Sequence, residues 1–174
     1  MLLNCLMTAT KYVSLFDSSC QFNYLVFMLQ RQYLSVIYQD KCEWGWKDSL
    51  KRDELFDEDA CYLIARDSAG ILVAFSHFRF DLDYGRPVLY CYELQLTEGT
   101  RRKGLGRRMM QTLELLAWRA EMECVVLTVL KHNHEACAFF HAMKYELDET
   151  SPEDSYDETH CYEILSKHRK KTAT

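Results

Sequence analysis

A chain of 174 residues with 13% aromatic side chains, six glycines and two prolines has the makeup of one folded domain with a sizeable core, which excludes fibrous and low-complexity classes. The formal charge is −5, yet Lys167, Arg169, Lys170 and Lys171 crowd into the C-terminal tail, so the body without those four carries −9. A body of that sign repels nucleic acid phosphates and attracts a basic partner.

No run approaches the eighteen or so apolar residues of a membrane span. The opening Met1-Leu-Leu-Asn-Cys-Leu-Met-Thr8 is broken by Asn4 and Thr8 and lacks a basic segment ahead of it, so no signal peptide is expected. Residues 1–17 read as a divergent or shortened N-terminal segment. From Ser18 to Asp40, Phe22, Leu25, Val26, Leu29, Tyr33, Val36 and Ile37 recur at three- and four-residue steps, which predicts an amphipathic helix capped by Ser18 or Ser19. An aromatic loop, Cys42-Glu-Trp-Gly-Trp46, precedes a short charged helix over Asp48 to Leu55.

Strands are expected over Ala60 to Arg66 and Ile71 to Phe80, joined by the hairpin loop Asp67-Ser-Ala-Gly70. A turn at Asp83-Tyr-Gly-Arg-Pro87 leads into the strand Val88 to Thr97. Beyond a glycine-bearing loop, Met109, Met110, Leu113, Leu116 and Ala117 make another helical stripe ending near Met122. Cys124 to Leu130 is a continuous apolar run suited to a central strand covered on both faces. A helix over His134 to Met143, strands over Tyr145 to Asp148 and Cys161 to Leu165, and a frayed basic tail over 167–174 complete the order. The economical architecture is one α/β domain with a mixed sheet, in which Val88 to Leu130 forms a right-handed parallel crossover.

Eight cysteines, at 5, 20, 42, 61, 91, 124, 137 and 161, have neither CxxC pairs nor a disulfide framework, so reduced thiols in an intracellular protein are expected. His132-x-His134 near Cys124 and Cys137 lacks the paired spacing of a zinc site, and no metal is expected. The crossover places Arg101-Arg-Lys-Gly-Leu-Gly106 where a strand's carboxyl end meets a helix's amino end. Free N–H groups and the positive dipole end there suit a phosphate or pyrophosphate. A third glycine of the dinucleotide fingerprint is missing, and no Ser or Thr follows the Gly-Lys pair of a Walker loop. Just upstream, Glu93 sits in an apolar and aromatic strand, either as a general base or as the partner of a structural arginine such as Arg79. Asp81, by position alone, reads as an ordinary turn residue.

The spacing Arg-x-x-Gly-x-Gly resembles the acetyl-coenzyme A loop of the GCN5-related N-acetyltransferase (GNAT) superfamily. Glu43-Trp-Gly-Trp-Lys-Asp48, Val73 to Asp81, Leu89-Tyr-Cys-Tyr-Glu93, Leu127-Thr-Val, Lys131-His-Asn-His134 and Tyr162-Glu-Ile-Leu-Ser166 are, together with that loop, similar to the NatD family of histone-selective N-alpha-acetyltransferases. The resemblance runs from about residue 18 to 166. It implies a GNAT domain with a mostly antiparallel sheet and one splayed parallel strand pair. It further implies acetyl transfer from acetyl-CoA, by direct attack, to the N-terminal serine amine of histone tails beginning Ser-Gly-Arg-Gly. The partner is then a basic histone peptide, with no nucleic acid or membrane, acted on by a monomer in nucleus and cytoplasm. A catalytically silent CoA- or peptide-binding relative and an acetyltransferase for another amine are the alternatives.

Residue by residue, the resemblance gives Glu93 the role of base or water relay, with Tyr92 beside it. It lines the peptide slot with Tyr38, Trp44, Asp81, Tyr90, Tyr92, Thr128, Ser151 and Tyr162. The donor is held by Leu94, Gln95, Leu96, Arg101, Arg102, Lys103, Gly104, Leu105, Gly106, Arg107 and Asn133. Tyr38 to Trp44 is one residue longer than the family spacing. Where many members of the superfamily carry a tyrosine to protonate the leaving thiolate, this chain has Phe139-Phe140, which leaves water or another donor such as Tyr92 or Tyr90.

Overall fold

Apolar runs become strands and apolar stripes become helices along the described chain, which in this computed structural model is the backbone of residues 12–15 together with residues 47–156 and 159–170. The elements are β1 (Tyr12–Leu15), α1 (Asp48–Leu55), β2 (Cys61–Arg66), β3 (Leu72–Asp83), β4 (Arg86–Leu96), a 3-10 turn (Glu98–Thr100), α2 (Leu105–Arg119), β5 (Cys124–Leu130), α3 (His134–Ala142), β6 (Glu146–Leu147) and β7 (Tyr162–His168). The strands order β1-β2-β3-β4-β5-β7-β6 in one sheet. Val88–Cys91 run parallel to Cys124–Leu127, whereas β1–β2, β2–β3, β5–β7 and β6–β7 are antiparallel. This is the expected α/β domain with a mostly antiparallel sheet and a parallel pair. The expected helix over Ser18 to Asp40 and the loop Cys42 to Trp46 lie outside the described residues, as do Tyr38 and Trp44.

Contacts divide the domain into two compact units, Met1–Phe78 with Glu93–Met109 and Arg79–Tyr92 with Met110–Thr174. In the first, Leu55, Tyr62, Ile64, Leu72 and Phe75 form a buried cluster, and Tyr62 Oη donates to the Leu55 carbonyl at 2.6 Å, tying the end of α1 to β2. The hairpin between β2 and β3 closes on Asp67, whose Oδ1 accepts from Ala69 N and Ile71 N, both at 2.9 Å. In the second, Val88, Cys124 and Val126 pack with Tyr90 and Ile164. The β3–β4 turn uses Tyr84 (φ 50°) and Gly85 (φ 83°), the pair of positive φ angles that matches the twist of two-residue hairpins.

Several boundaries differ from expectation, each for a local reason. β1 lies inside the segment expected to be a divergent terminus, because four residues of alternation are too short a signal beside β2. β4 starts at Arg86 rather than Val88; Pro87, lacking an N–H, still accepts from Glu123 N at 2.8 Å through its carbonyl. β6 shrinks to two residues. β7 runs on through Lys167 and His168, where a frayed tail is expected. Lys167 is held there by two 2.9 Å bonds to Glu114, whose Oε1 also accepts from the buried Tyr145 hydroxyl at 3.3 Å. Among the described residues no helix is long and apolar enough to cross a membrane, and Cys61, Cys91, Cys124, Cys137 and Cys161 are free thiols.

Arg86 joins the start of β4 to the end of β6, donating to Asp148 at 2.9 and 3.3 Å and to Asp83 at 2.9 Å. Burial alone would raise the Asp148 carboxyl, but Arg86, Ser166 and Thr150 hold it well below the usual carboxylate range. A depressed acid stabilises the fold above its unfolded pKa, near 4, and that contribution drains away as pH falls further. Arg86→Ala, which strands a buried carboxylate, is expected to lower the unfolding free energy at pH 7 by about 3 kcal/mol in urea titrations, and the loss to shrink when Asp148→Asn is added.

Candidate active site

Polar side chains inside apolar strands mark the chemistry in the first unit. Glu93 is only 7% exposed on β4, and its Oε1 lies 2.5 Å from Lys51 Nζ on α1. Lys51 also donates to Glu54 Oε1, one helical turn on, at 2.7 Å. His77 of β3 is fully buried, with Nδ1 3.6 Å from that same oxygen, an electrostatic contact longer than a hydrogen bond, and its ring stacks on Tyr62 with centroids 5.2 Å apart. Ser76 Oγ donates to the Glu93 carbonyl at 2.7 Å, fixing the strand where the acid projects.

Burial pushes the Glu93 carboxyl up to about 7, against the pull of Lys51 and with a small further push from Glu54. Burial would lower the Lys51 ammonium, but the two carboxylates more than compensate and raise it. Glu54 moves the other way: burial favours its neutral form, yet His77 and Lys51 bring it below its ordinary value.

The same strand then turns into the basic loop. Thr97 N donates to the Val73 carbonyl at 2.9 Å, and the 3-10 turn carries the chain to Arg101, whose Nε donates to the Leu96 carbonyl at 3.2 Å. Arg102 (φ 61°) and Gly104 (φ 83°) bend the backbone before α2 begins at Leu105. Arg101, Arg102, Lys103 and Arg107 are exposed, while Leu105 and Gly106 are buried. Lys103 Nζ donates to the Gly99 carbonyl at 2.7 Å. No heavy atom lies within 4 Å of where a Cβ on Gly104 would stand, so the backbone before α2 is open to close approach. Cations, open backbone and a helix amino end together can hold an anion of pyrophosphate size. Leu94, Gln95 and Leu96 are half-buried, and the last two line a small pocket with residues 72–75 and Thr97.

In the second unit the structure gathers most of the aromatic candidates on one face. Tyr90 and Tyr92 lie with ring centroids 4.9 Å apart, and the Arg79 guanidinium stands 5.0 Å above the Tyr92 ring. Tyr90 Oη and Thr128 Oγ1 are 2.6 Å apart, and burial raises the Tyr90 phenol above its ordinary value. Ile164, which packs with Tyr90, gives its N–H to Ser151 Oγ at 3.0 Å, so Ser151 pins its own loop to β7. Tyr162 lies two residues before Ile164 on β7, edge-on to His160 at 5.9 Å. Asp81 on β3 is exposed, its Oδ1 accepting from Leu82 N at 2.7 Å. Asn133 Oδ1 caps α3 by accepting from Ala136 N at 3.2 Å. Phe139 and Phe140 pack edge-on at 5.0 Å and offer no proton. Among the described residues no group of three or more His, Cys, Asp or Glu side chains could hold a metal ion.

The sequence reading pairs Glu93 with a structural arginine as its alternative; the cation beside it is Lys51, while Arg79 covers Tyr92. Lys51, Glu54 and His77 are the residues that sequence reasoning misses. Their trace is the 51/54 spacing on α1 and a histidine standing in an apolar strand.

An acid raised by burial stabilises the fold below its unfolded pKa and loses that contribution as pH rises through its folded value. Urea unfolding across pH 4 to 8 is expected to show Glu93→Gln gaining on the wild type by on the order of 3 kcal/mol, with the change centred between pH 4.5 and about 7. Parallel pH curves for the two proteins would remove the raised acid.

Residues 25–145 match the acetyltransferase (GNAT) family. Among solved structures the fold is similar to that of Arabidopsis thaliana NAA60 in complex with a bisubstrate analogue, with a TM-score of 0.64 and 11% identity over 90% of this chain and 98% of that one. It is similar to PaiA N-acetyltransferase from Thermoplasma acidophilum in complex with coenzyme A, at 0.65 and 13% over 91% and 99%. The ribosomal-protein-S18-alanine N-acetyltransferase of Escherichia coli matches at 0.62 and 12% over 93% and 97%. At such identities the structural likeness is one of fold, and the family match over most of the chain adds the chemistry: this protein belongs to the acetyltransferase (GNAT) family and is an acetyl-CoA-dependent N-acetyltransferase.

Proposed function

We propose that the protein acetylates the N-terminal serine α-amine of a histone tail beginning Ser-Gly-Arg-Gly. The observation that carries this reading is Glu93, a buried carboxyl titrating near 7 on the strand that runs into the open, basic loop at Gly104. A free α-amine has a pKa near 8, so about a tenth of it is neutral at pH 7 and the base has little to lift. A base titrating near the working pH is matched to that task. Glu93 takes the amine proton directly or through a water relay.

Acetyl-CoA supplies the acetyl group as a thioester. In this reading Arg101 to Arg107 bind its pyrophosphate through backbone N–H groups and side-chain cations. The backbone of Leu94, Gln95 and Leu96 binds the pantetheine arm, and Asn133 uses Nδ2, because its Oδ1 caps α3. Tyr90, Tyr92, Thr128 and Tyr162, with Tyr38 and Trp44, wall the peptide slot, Ser151 holds the loop beside it, and Asp81 meets the cationic amine end. Water, Tyr92 Oη or Tyr90 Oη supplies the proton that Phe139 and Phe140 cannot. A body charge of −9 favours a basic tail, and a histone substrate implies a monomer working in nucleus and cytoplasm. The shared fold of NAA60 with its bisubstrate analogue and of the S18-alanine enzyme supports an amine acceptor of this kind.

Intact-mass analysis of a Ser-Gly-Arg-Gly peptide incubated with acetyl-CoA tests the assignment. One acetyl group on the terminal serine is expected, with the rate rising through a midpoint near pH 7 and falling about 100-fold in Glu93→Gln. Acetylated lysine, or no mass gain at high enzyme concentration, would overturn it; the latter outcome with CoA still bound would make the chain a silent binding module.

Gly104→Ala forces a side chain into φ 83° and into the open face of the loop. Calorimetric titration is expected to show CoA binding weakened about tenfold, and urea unfolding a stability loss of about 1 kcal/mol. Unchanged CoA binding would place the anion elsewhere.

A further inference from the structure

We propose that Lys51 is a positioning residue for the acetyl transfer: its ammonium, shared between Glu93 and Glu54, sets the charge in which Glu93 waits. The proposal rests on Glu93 acting as the base. Lys51 is at once 2.5 Å from Glu93 Oε1 and 2.7 Å from Glu54 Oε1, so one ammonium bridges a buried acid and one that opens to water. The side chain of Glu93 is 5% exposed and that of Glu54 29%, which gives the triad an inner and an outer end. α1 is not free to drift from this position, because the Leu55 carbonyl takes the Tyr62 hydroxyl and Leu55 is buried against β2 and β3.

A purely structural tie has no need of this arrangement, since a buried ion pair is often no better than two well-packed apolar groups. It does, however, control an acid. Among the described residues the pair is joined by Glu54 from α1 and His77 from β3, with Tyr62 of β2 stacked on the His77 ring. Lys51 draws Glu93 toward the charged form; Glu54 opposes it, by its own charge and by sharing Lys51.

Opposite effects from the two neighbours give the test. The titration of Glu93 in the full-length protein is followed by carboxyl infrared difference spectra, with Glu93→Gln as the blank, beside the pH profile of kcat. Lys51→Met is expected to move the Glu93 midpoint up by about one unit or more, Glu54→Gln to move it down, and Lys51→Arg to restore it. A midpoint that stays put in both Lys51→Met and Glu54→Gln, or moves the same way in both, overturns the proposal. Should Lys51→Met fail to fold, Glu54→Gln and Lys51→Arg decide it by the same criterion. The spectra need no peptide, so a wild type that leaves histone tails unacetylated refutes that substrate while the titration still decides Lys51.

Discussion

A carboxyl taken out of water must find a cation or keep its proton, and Glu93 stands where both solutions are nearly balanced. Burial costs a lone carboxylate several kcal/mol, and Lys51 returns only part of it, so the acid is pushed up to about 7. Much of the first unit follows from holding that balance. α1 exists as eight residues, too few to be stable alone, and is kept by Leu55 and the Tyr62 hydroxyl. Ser76 fixes the backbone of Glu93, and the 3-10 turn past Thr97 is anchored to the Val73 carbonyl on β3. A shift in any of these would change the distance to Lys51 and with it the proton affinity of the acid.

β4 serves two environments with one backbone. In the first unit it carries the buried Glu93, and in the second it sets Tyr90 against Tyr92, with Arg79 laid over the Tyr92 ring. The second unit is braced differently, by charges at its margins: Arg86 against Asp83 and Asp148, and Lys167 against Glu114 with the Tyr145 ring below it. These ties sit at strand ends, where a short strand such as β6 has too few ladder bonds to hold itself.

Legibility in the sequence followed how local each signal is. The apolar run Cys124 to Leu130 and the stripe from Met109 to Ala117 declare strand and helix from their own periods, and the glycine loop between β4 and α2 declares itself by composition. The aromatic face is legible too, since Tyr90 and Tyr92 share a parity on a recognisable strand. What sequence does not hold is partnership across elements. Lys51 reads as one of many charges on a short helix, and nothing in the 41 intervening residues marks it as the cation for Glu93. Ser151 matches a substrate-side position and Asn133 a donor-side one, yet each spends its oxygen on a backbone N–H group, Ile164 N and Ala136 N. β1 and the last two residues of β7 are set by neighbouring strands rather than by their own composition.

The extension of β7 bears on how the chain could be sorted within a cell. Lys167-His-Arg-Lys-Lys171 has the composition of a nuclear import address, and an import receptor reads such an address as a loose, extended chain. Here Lys167 and His168 are zipped to Val125 and Cys124, and Arg169 gives its N–H to Glu123. Reading the whole segment would mean unpicking the edge of the catalytic domain, so binding the receptor and keeping the sheet intact are competing states of the same few residues.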